Sequence, residues 1–422
     1  MNRQLRVMKF GGTSVGDTSA IQKVAAIVHA ASRESDLVVV VSAMSGVTNE
    51  LLEAAKHAAA GDRAAVQEIF NHLRARHRAA IRELIHSIPE RGRVNLQVEQ
   101  ILQKGEQLCE GTALLRELTP RTRDVISSLG ERLSAPMVAA ALNERGVTSE
   151  SIEATELIRT DSCHGSAAPH MAATRNLCHA RLRPMLENGV VPVVTGFIGA
   201  TAEGALTTLG RGGSDYSATI LGAVLDADEV TIWTDVDGLM TADPRLVPSA
   251  CTIAEISYQE AAELAGCGAK VLHPKTLSPV AQSGIPIWIR NTFAPEHGGT
   301  RITPAGPMTG TPIKGLAVMC DAADQTLAVI SAVGKNMRDP DVIGRILTAL
   351  GRQHLNLISV ATGSSEHSFS FVVAKRDLKC ALEAIHQEFR LDAIGVIPAS
   401  IETVPPTADS WTYAAQSTAS AD

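Results

Sequence analysis

Short β-branched runs alternate along the chain with longer amphipathic stretches, and glycine-rich turns separate them. Leu5 to Phe10 reads as a strand, and Gly11-Gly12-Thr13-Ser14 follows it as a turn. The next stretch is apolar at Ile21, Val24, Ala25 and Val28, which is the spacing of one helix face. Asp36 to Ser42 carries an unbroken β-branched run of the kind buried in a parallel sheet. Strand, turn, helix and strand make a βαβ unit, and such folds bind ligands at the carboxyl ends of their strands. Leu51 to Leu118 reads as helices rich in Ala, Glu, Arg and Leu, an insertion or lid-like layer. Asp124 to Ser128 is read as a return to strand, with a helix opening at Leu129. Val190 to Ile198, Glu229 to Asp235 and Ile285 to Arg290 are further strands, and Tyr258 to Leu264 is a helix.

The carboxyl-terminal part has its own rhythm. Strands are expected over Ile313 to Val318, Leu327 to Val333, Leu355 to Val360, Ser368 to Ala374 and Ala393 to Val396. Helices fall between them at Ile343 to Leu350 and Leu378 to Phe389. From about Thr403, prolines and a Ser/Thr/Ala-rich end read as a disordered tail, 403–422.

Candidate chemistry gathers at the strand ends. Lys9 lies at the carboxyl end of the first strand, one residue before two glycines, a place better suited to a phosphate ligand than to a solvated surface lysine. The stretch Thr207 to Ser217 holds Gly210, Gly212 and Gly213 between a strand and a helix. Ser214 can cap that helix, and a helix amino terminus favours anions. A tight connection without a ligand is the plain alternative. Arg211 and Asp215 place a cation and a carboxylate in the same turn. Ser42 to Asn49 ends another strand in small polar residues, where Thr48 either meets a polar substrate or caps a helix. Glu131, in a first helical turn, either complements the helix dipole or binds an ammonium group. Thr234, Asp235 and Arg245 frame a turn-rich loop fit for a nucleotide, and Lys270 follows a glycine further on. His273, before a proline, is read as structural.

Composition narrows the field. The 422 residues are 45% hydrophobic and 20% charged, as in a globular protein of two or three domains. A net charge of −7 without a basic block argues against nucleic acid. Seven scattered cysteines, with no CxxC pair, fit reduced thiols in a cytoplasmic protein rather than a disulfide framework or zinc site. No apolar stretch approaches the roughly 18 residues of a membrane span, and no signal-like segment opens the chain.

Six segments occur in one order: Lys9 to Val15, Ser128 to Glu131, Gly210 to Tyr216, Thr234 to Gly238, Asp243 to Arg245 and Gly268 to Pro274. Together they resemble the aspartokinases of the amino-acid kinase family. The resemblance covers residues from about 5 to 400. It implies an α/β fold: a three-layer α/β/α kinase domain with a mainly parallel sheet (1–300), then a single βαββαβ ACT-like domain (311–400). Its implied activity is transfer of the ATP γ-phosphoryl group to the side-chain carboxylate of L-aspartate. Lys9, Gly11 and Gly12 would hold phosphates, and Asp215 would orient Lys9. Ser42, Thr48, Glu131, Arg211 and Ser214 would hold aspartate, while Thr234, Asp235, Arg245 and Lys270 would hold ATP. Lys9, Asp215 and Lys270 are the residues expected at the reacting phosphoryl group. Mg²⁺ is expected on ATP oxygens and water, with no protein ligand assigned. A carboxylate is already a nucleophile at neutral pH, so the absence of a nucleophile–base set is expected.

Two features depart from the family pattern. Met240 stands where a tyrosine is common, and there is room for one ACT module where most members carry two. The resemblance further implies a homodimer built through these modules. Asp341, where ACT loops often carry glycine, is expected to oppose an amino-acid effector. The alternatives are a kinase for another small α-amino acid and a catalytically silent amino-acid sensor.

Overall fold

The computed structural model describes residues 3–268, 272–307, 311–319, 326–362 and 365–393. The first half runs β1 (Gln4–Phe10), α1 (Thr18–Ser32), β2 (Ser35–Val41), α2 (Val47–Ala60), α3 (Arg63–Leu84) and α4 (Ile88–Leu115). It continues through α5 (Pro120–Ser127), α6 (Leu129–Glu144), β3 (Ser149–Ile152), α7 (Met171–Glu187), β4 (Val191–Thr195), β5 (Ile198–Ala200) and β6 (Leu206–Thr208). Then come α8 (Gly213–Leu225), β7 (Glu229–Thr234), β8 (Glu255–Ser257), α9 (Tyr258–Gly266), α10 (Pro274–Ala281), β9 (Ile287–Asn291) and β10 (Thr300–Thr303).

Eight of these strands form one sheet in the order β3-β4-β2-β1-β7-β9-β10-β8. It is parallel except where β10 runs against β9. The alternation of side chains along β1 and β2 builds the three layers. Met8, Phe10, Leu37, Val39 and Val41 enter a core shared with α1, α2, α3, α4 and α6. Val7, Val38 and Val40 point to the opposite face, where α7, α8, α9 and α10 cover them. Apolar residues on both faces of a strand explain the unbroken β-branched run of β2. The sheet extends to Thr303, slightly beyond the expected boundary at residue 300.

A second sheet follows from β11 (Ile313–Met319), β12 (Leu327–Gly334), β13 (Leu357–Thr362) and β14 (Ser368–Ala374), ordered β11-β12-β14-β13 and antiparallel throughout. Helices α11 (Pro340–Arg352) and α12 (Leu378–Glu388) pack on it through Ile346, Leu350, Leu382 and Ile385. Of the closing strand expected over 393–396, Ala393 ends a short 3₁₀ turn. Residues 394–396 and the tail 403–422 lie outside the described residues. No described helix is long and apolar enough to cross a membrane.

Several local expectations fail for identifiable reasons. Asp124 to Ser127 is helical, within α5, and Ser128 caps its carboxyl end, because Thr119 caps the helix by accepting from the Thr122 N–H and Pro120 occupies its first turn. Those two signals outweigh the β-branched pair Val125-Ile126, so Glu131 does not follow a strand. Val190 to Ile198 divides into β4 and β5 at Gly196-Phe197, where Phe197 has a φ of 72°. Ser214 and Thr48 are not caps. Gly212 and Gly46, both left-handed, cap α8 and α2, and the two hydroxyl residues fall inside the first turns. Asp341 is exposed in the first turn of α11, where Asp339 accepts from its N–H, so it lies in a helix and not in a loop.

Candidate active site

The carboxyl ends of β1, β2 and β7 lie side by side, and the first turns of α6 and α8 close over them. Lys9 is only 8% exposed, and its Nζ lies 2.6 Å from Oδ1 of Asp215 in the first turn of α8. The pairing of a β1 residue with an α8 residue follows from the topology, since α8 leads directly into β7, the parallel neighbour of β1. Phe10 and Trp233 stack beneath the site with ring centroids 6.0 Å apart.

The two glycines after Lys9 have different jobs. The Gly11 N–H donates to the Trp233 carbonyl (3.0 Å), closing β1 onto β7, so it is not free for a phosphate. Among the described residues no backbone acceptor meets the Gly12 N–H. Ser14, which the sequence reading passed over, anchors this loop. Its hydroxyl is buried 2.7 Å from that of Thr292, just past β9.

Glu131 is 4% exposed at the start of α6. It accepts hydrogen bonds from the backbones of Ala43 and of Glu131 itself, yet Oε2 has no partner. Burial drives its carboxyl up to about 8, and those hydrogen bonds and the charge of Lys9 offset only part of that effect. A buried carboxyl with an unpartnered oxygen is the arrangement that an incoming cation completes. Gly130 lets α6 come this close: a Cβ there would stand 2.6 Å from Ala43 Cβ and 3.4 Å from Thr48 Oγ1. The same contact places the half-buried Thr48 beside the Glu131 segment. Ser42 joins the same wall, its carbonyl accepting from Ser134 Oγ at 2.6 Å.

Ser214 is buried at the entry to α8, against Gly196 after β4. Arg211 is exposed in the preceding loop, and among the described residues no side chain pairs with it. The nucleotide candidates are more scattered. Thr234 ends β7 and Asp235 follows it, their side chains 3.2 Å apart. Arg245 is turned back on Asp243 in a forked ion pair of 2.6 to 3.2 Å, with its side chain 83% exposed. Lys270 lies outside the described residues. His273 caps α10, accepting from the Lys275 N–H through Nδ1, which is a structural role.

The loop after β7 is a hairpin held from both sides. Leu239 N–H donates to Thr300 Oγ1, and Met240 pairs with Thr252. Its far end reaches the second sheet: Leu316 N–H donates to the Thr241 carbonyl, and Thr241 Oγ1 lies 3.0 Å from His386 Nε2 on α12. Cys251 Sγ lies 3.1 Å from the Leu391 carbonyl.

A mainly parallel sheet with a lysine and glycines ending its first strand, and an acidic helix turn closing on that lysine, matches one class of protein. Residues 4–291 fit the model of the amino acid kinase family, and residues 330–389 fit an ACT domain. The chain belongs to the amino acid kinase family. It is 40% identical over 303 residues to lysine-sensitive aspartokinase 3 of Escherichia coli (strain K12), an alignment covering 71% of this chain and 64% of that one. It is 38% identical over 307 residues to the chloroplastic aspartokinase 1 of Arabidopsis thaliana, covering 72% of this chain and 52% of the relative. The matched stretch thus spans between half and two thirds of these relatives. Among solved structures, E. coli aspartokinase III in complex with aspartate and ADP (R-state) superposes with a TM-score of 0.80 at 28% identity, covering 92% of this chain and 100% of that one.

Proposed function

We propose that the chain is an aspartate kinase, transferring the γ-phosphoryl group of MgATP to the side-chain carboxylate of L-aspartate to give 4-phospho-L-aspartate and ADP. The observation that carries this reading is the buried, unpartnered Glu131 oxygen on the same strand-end ledge as the Lys9–Asp215 pair. Glu131 receives the ammonium of the amino acid and Arg211 its α-carboxylate, with Ser42, Thr48 and Ser214 completing the pocket. Lys9 faces the moving phosphoryl group, Asp215 fixes its direction, and the Gly12 amide faces a phosphate. Thr234, Asp235, Arg245 and Lys270 hold the nucleotide, for which Arg245 must exchange Asp243 for phosphate. Mg²⁺, carried on ATP oxygens and water, supplies further neutralisation of phosphate charge. No general base is needed, because the acceptor is an anion. The task is to bring two anions together and hold them in line.

The relatives matched here are aspartokinases, and the residues at both poles of an α-amino acid are present, which favours this reading over a silent sensor. The test is direct. With saturating MgATP and L-aspartate, hydroxylamine should trap an acyl phosphate as the aspartyl hydroxamate. ATP-dependent hydroxamate from a different amino acid, and none from aspartate, would move the assignment to that substrate.

The ACT-like unit serves dimerisation first in this reading. Ile358 and Val360 are 49% and 47% exposed on β13, an outer strand of its sheet, and an apolar edge invites pairing with a second copy. Asp341 puts a carboxylate at the amino terminus of α11, where an effector's own carboxylate would be repelled. Lysine, threonine and both together should therefore inhibit weakly at sub-saturating aspartate. Half-inhibition well below a millimolar by either would show an effector site in use.

A further inference from the structure

Asp124 takes no part in the roles assigned above, yet it is among the most fully engaged carboxylates in the protein. It is 2% exposed on α5. Oδ1 accepts from Thr208 Oγ1 at 2.7 Å. Oδ2 accepts from the Thr208 N–H (3.2 Å) and the Gly165 N–H (3.0 Å), and lies 2.9 Å from His164 Nδ1. One buried side chain thus ties together three segments far apart in sequence.

Those segments are the two walls of the amino-acid pocket. Asp124 sits three residues before the end of α5, which passes straight into α6: Ser128 N–H donates to the Asp124 carbonyl, and Ser127 Oγ does the same. Glu131 follows in the first turn of α6. On the other side, Thr208 ends β6 three residues before Arg211. The 161–168 loop braces that turn: Ala167 N–H donates to the Thr208 carbonyl (2.9 Å), and the Gly165 carbonyl lies 3.0 Å from where a Gly210 Cβ would stand. Thr160 and Thr207 hydroxyls add a buried contact of 2.7 Å.

We propose that Asp124, with His164, is a positioning residue that sets the distance between Glu131 and Arg211, and so the fit of the amino-acid substrate. An α-amino acid is held by both of its charged groups, so the separation of their two partners decides affinity. A carboxylate that accepts four hydrogen bonds from one wall while standing on the other fixes that separation with little play. The nucleotide candidates Thr234, Asp235 and Arg245 belong to other segments, which Asp124 does not touch. This inference rests on the aspartate kinase reading.

The experiment compares Asp124→Ala, Asp124→Asn and His164→Ala with wild type, measuring kcat and both KM values alongside the melting temperature. Wild-type hydroxamate formation from aspartate tests the function itself, independently of the variants. Asp124→Ala should raise the aspartate KM about tenfold or more while the ATP KM stays within about twofold, since small misplacements of binding groups are costly. Asp124→Asn keeps an acceptor for the three nitrogen donors and should recover most of the affinity. His164→Ala, at a partly exposed position, should raise the aspartate KM about threefold and leave that of ATP unchanged. A lowered melting temperature with both KM values unchanged in Asp124→Ala and His164→Ala, or equal rises in the two KM values, would overturn the proposal.

Discussion

Lys9→Met should lower kcat about 10²- to 10³-fold with MgATP and aspartate both saturating. Lys9 is buried, pinned by Asp215, and stands at the strand end to which the proposed reaction would bring the phosphoryl group. A preorganised cation at that place interacts more strongly with the transition state than with either bound substrate, and removing one such group costs about 2.7–4 kcal/mol. Methionine keeps most of the stem and fills the same space, so the loss is of charge and not of packing. It leaves Asp215 part-buried beside Lys9's place without its cation, and a modest fall in melting temperature should accompany the loss. Both KM values should move far less than kcat. Steady-state kinetics decides the matter: a variant within threefold of wild-type kcat would remove Lys9 from the reaction.

Glu131→Gln should raise the aspartate KM about ten- to hundredfold, the worth of a charge-assisted hydrogen bond in a buried site. A second signature is harder to imitate. Burial pushes the Glu131 carboxyl up to about 8, so it favours the protonated form at neutral pH. Binding an ammonium group requires the carboxylate, and the proton must then leave. The aspartate KM should fall as pH rises toward 8, by up to about tenfold per unit, and level off above it. The sign for stability runs the other way. The folded value lies above the ordinary 4.5, so the protonated carboxyl's contribution is complete below that pH and is lost as pH rises through about 8. Glutamine at 131 cannot titrate, so both slopes should flatten together. An aspartate KM that is flat in wild type between about pH 6 and pH 8 would show that the ammonium goes elsewhere.

The sheet was legible because its strands are buried on both faces. A run such as Leu37 to Val41 has no polar phase, and little else in the chain looks like it. The charged groups gathered at the strand ends were legible for a related reason: Lys9, Glu131 and Asp215 interrupt apolar or glycine-rich segments. What stayed hidden depended on partners distant in sequence. Asp124 lies in a short segment whose Val125 and Ile126 suggest a strand, and only the contacts from Thr208, Gly165 and His164 show why a carboxylate is there. Nothing local shows that the Gly11 N–H is spent on Trp233, over two hundred residues away. The caps of α2 and α8 were missed because glycine in the left-handed region does the work there, and the hydroxyl residue nearby looked like the better candidate.

The hairpin after β7 carries a consequence for how the chain can be cut or recombined. Its inner end meets Thr300 and its outer end meets Leu316 and His386, while Ala242 and Val247 are buried among the side chains of the four-stranded unit. The ACT-like unit is therefore not a detachable cassette. A chain ended after β10 would leave those side chains in water and the hairpin anchored on one side only. Grafting a foreign sensor in its place would have to reproduce the seat for Thr241 before any signal could be exchanged. The seam between the two sheets runs through a segment that both of them fold.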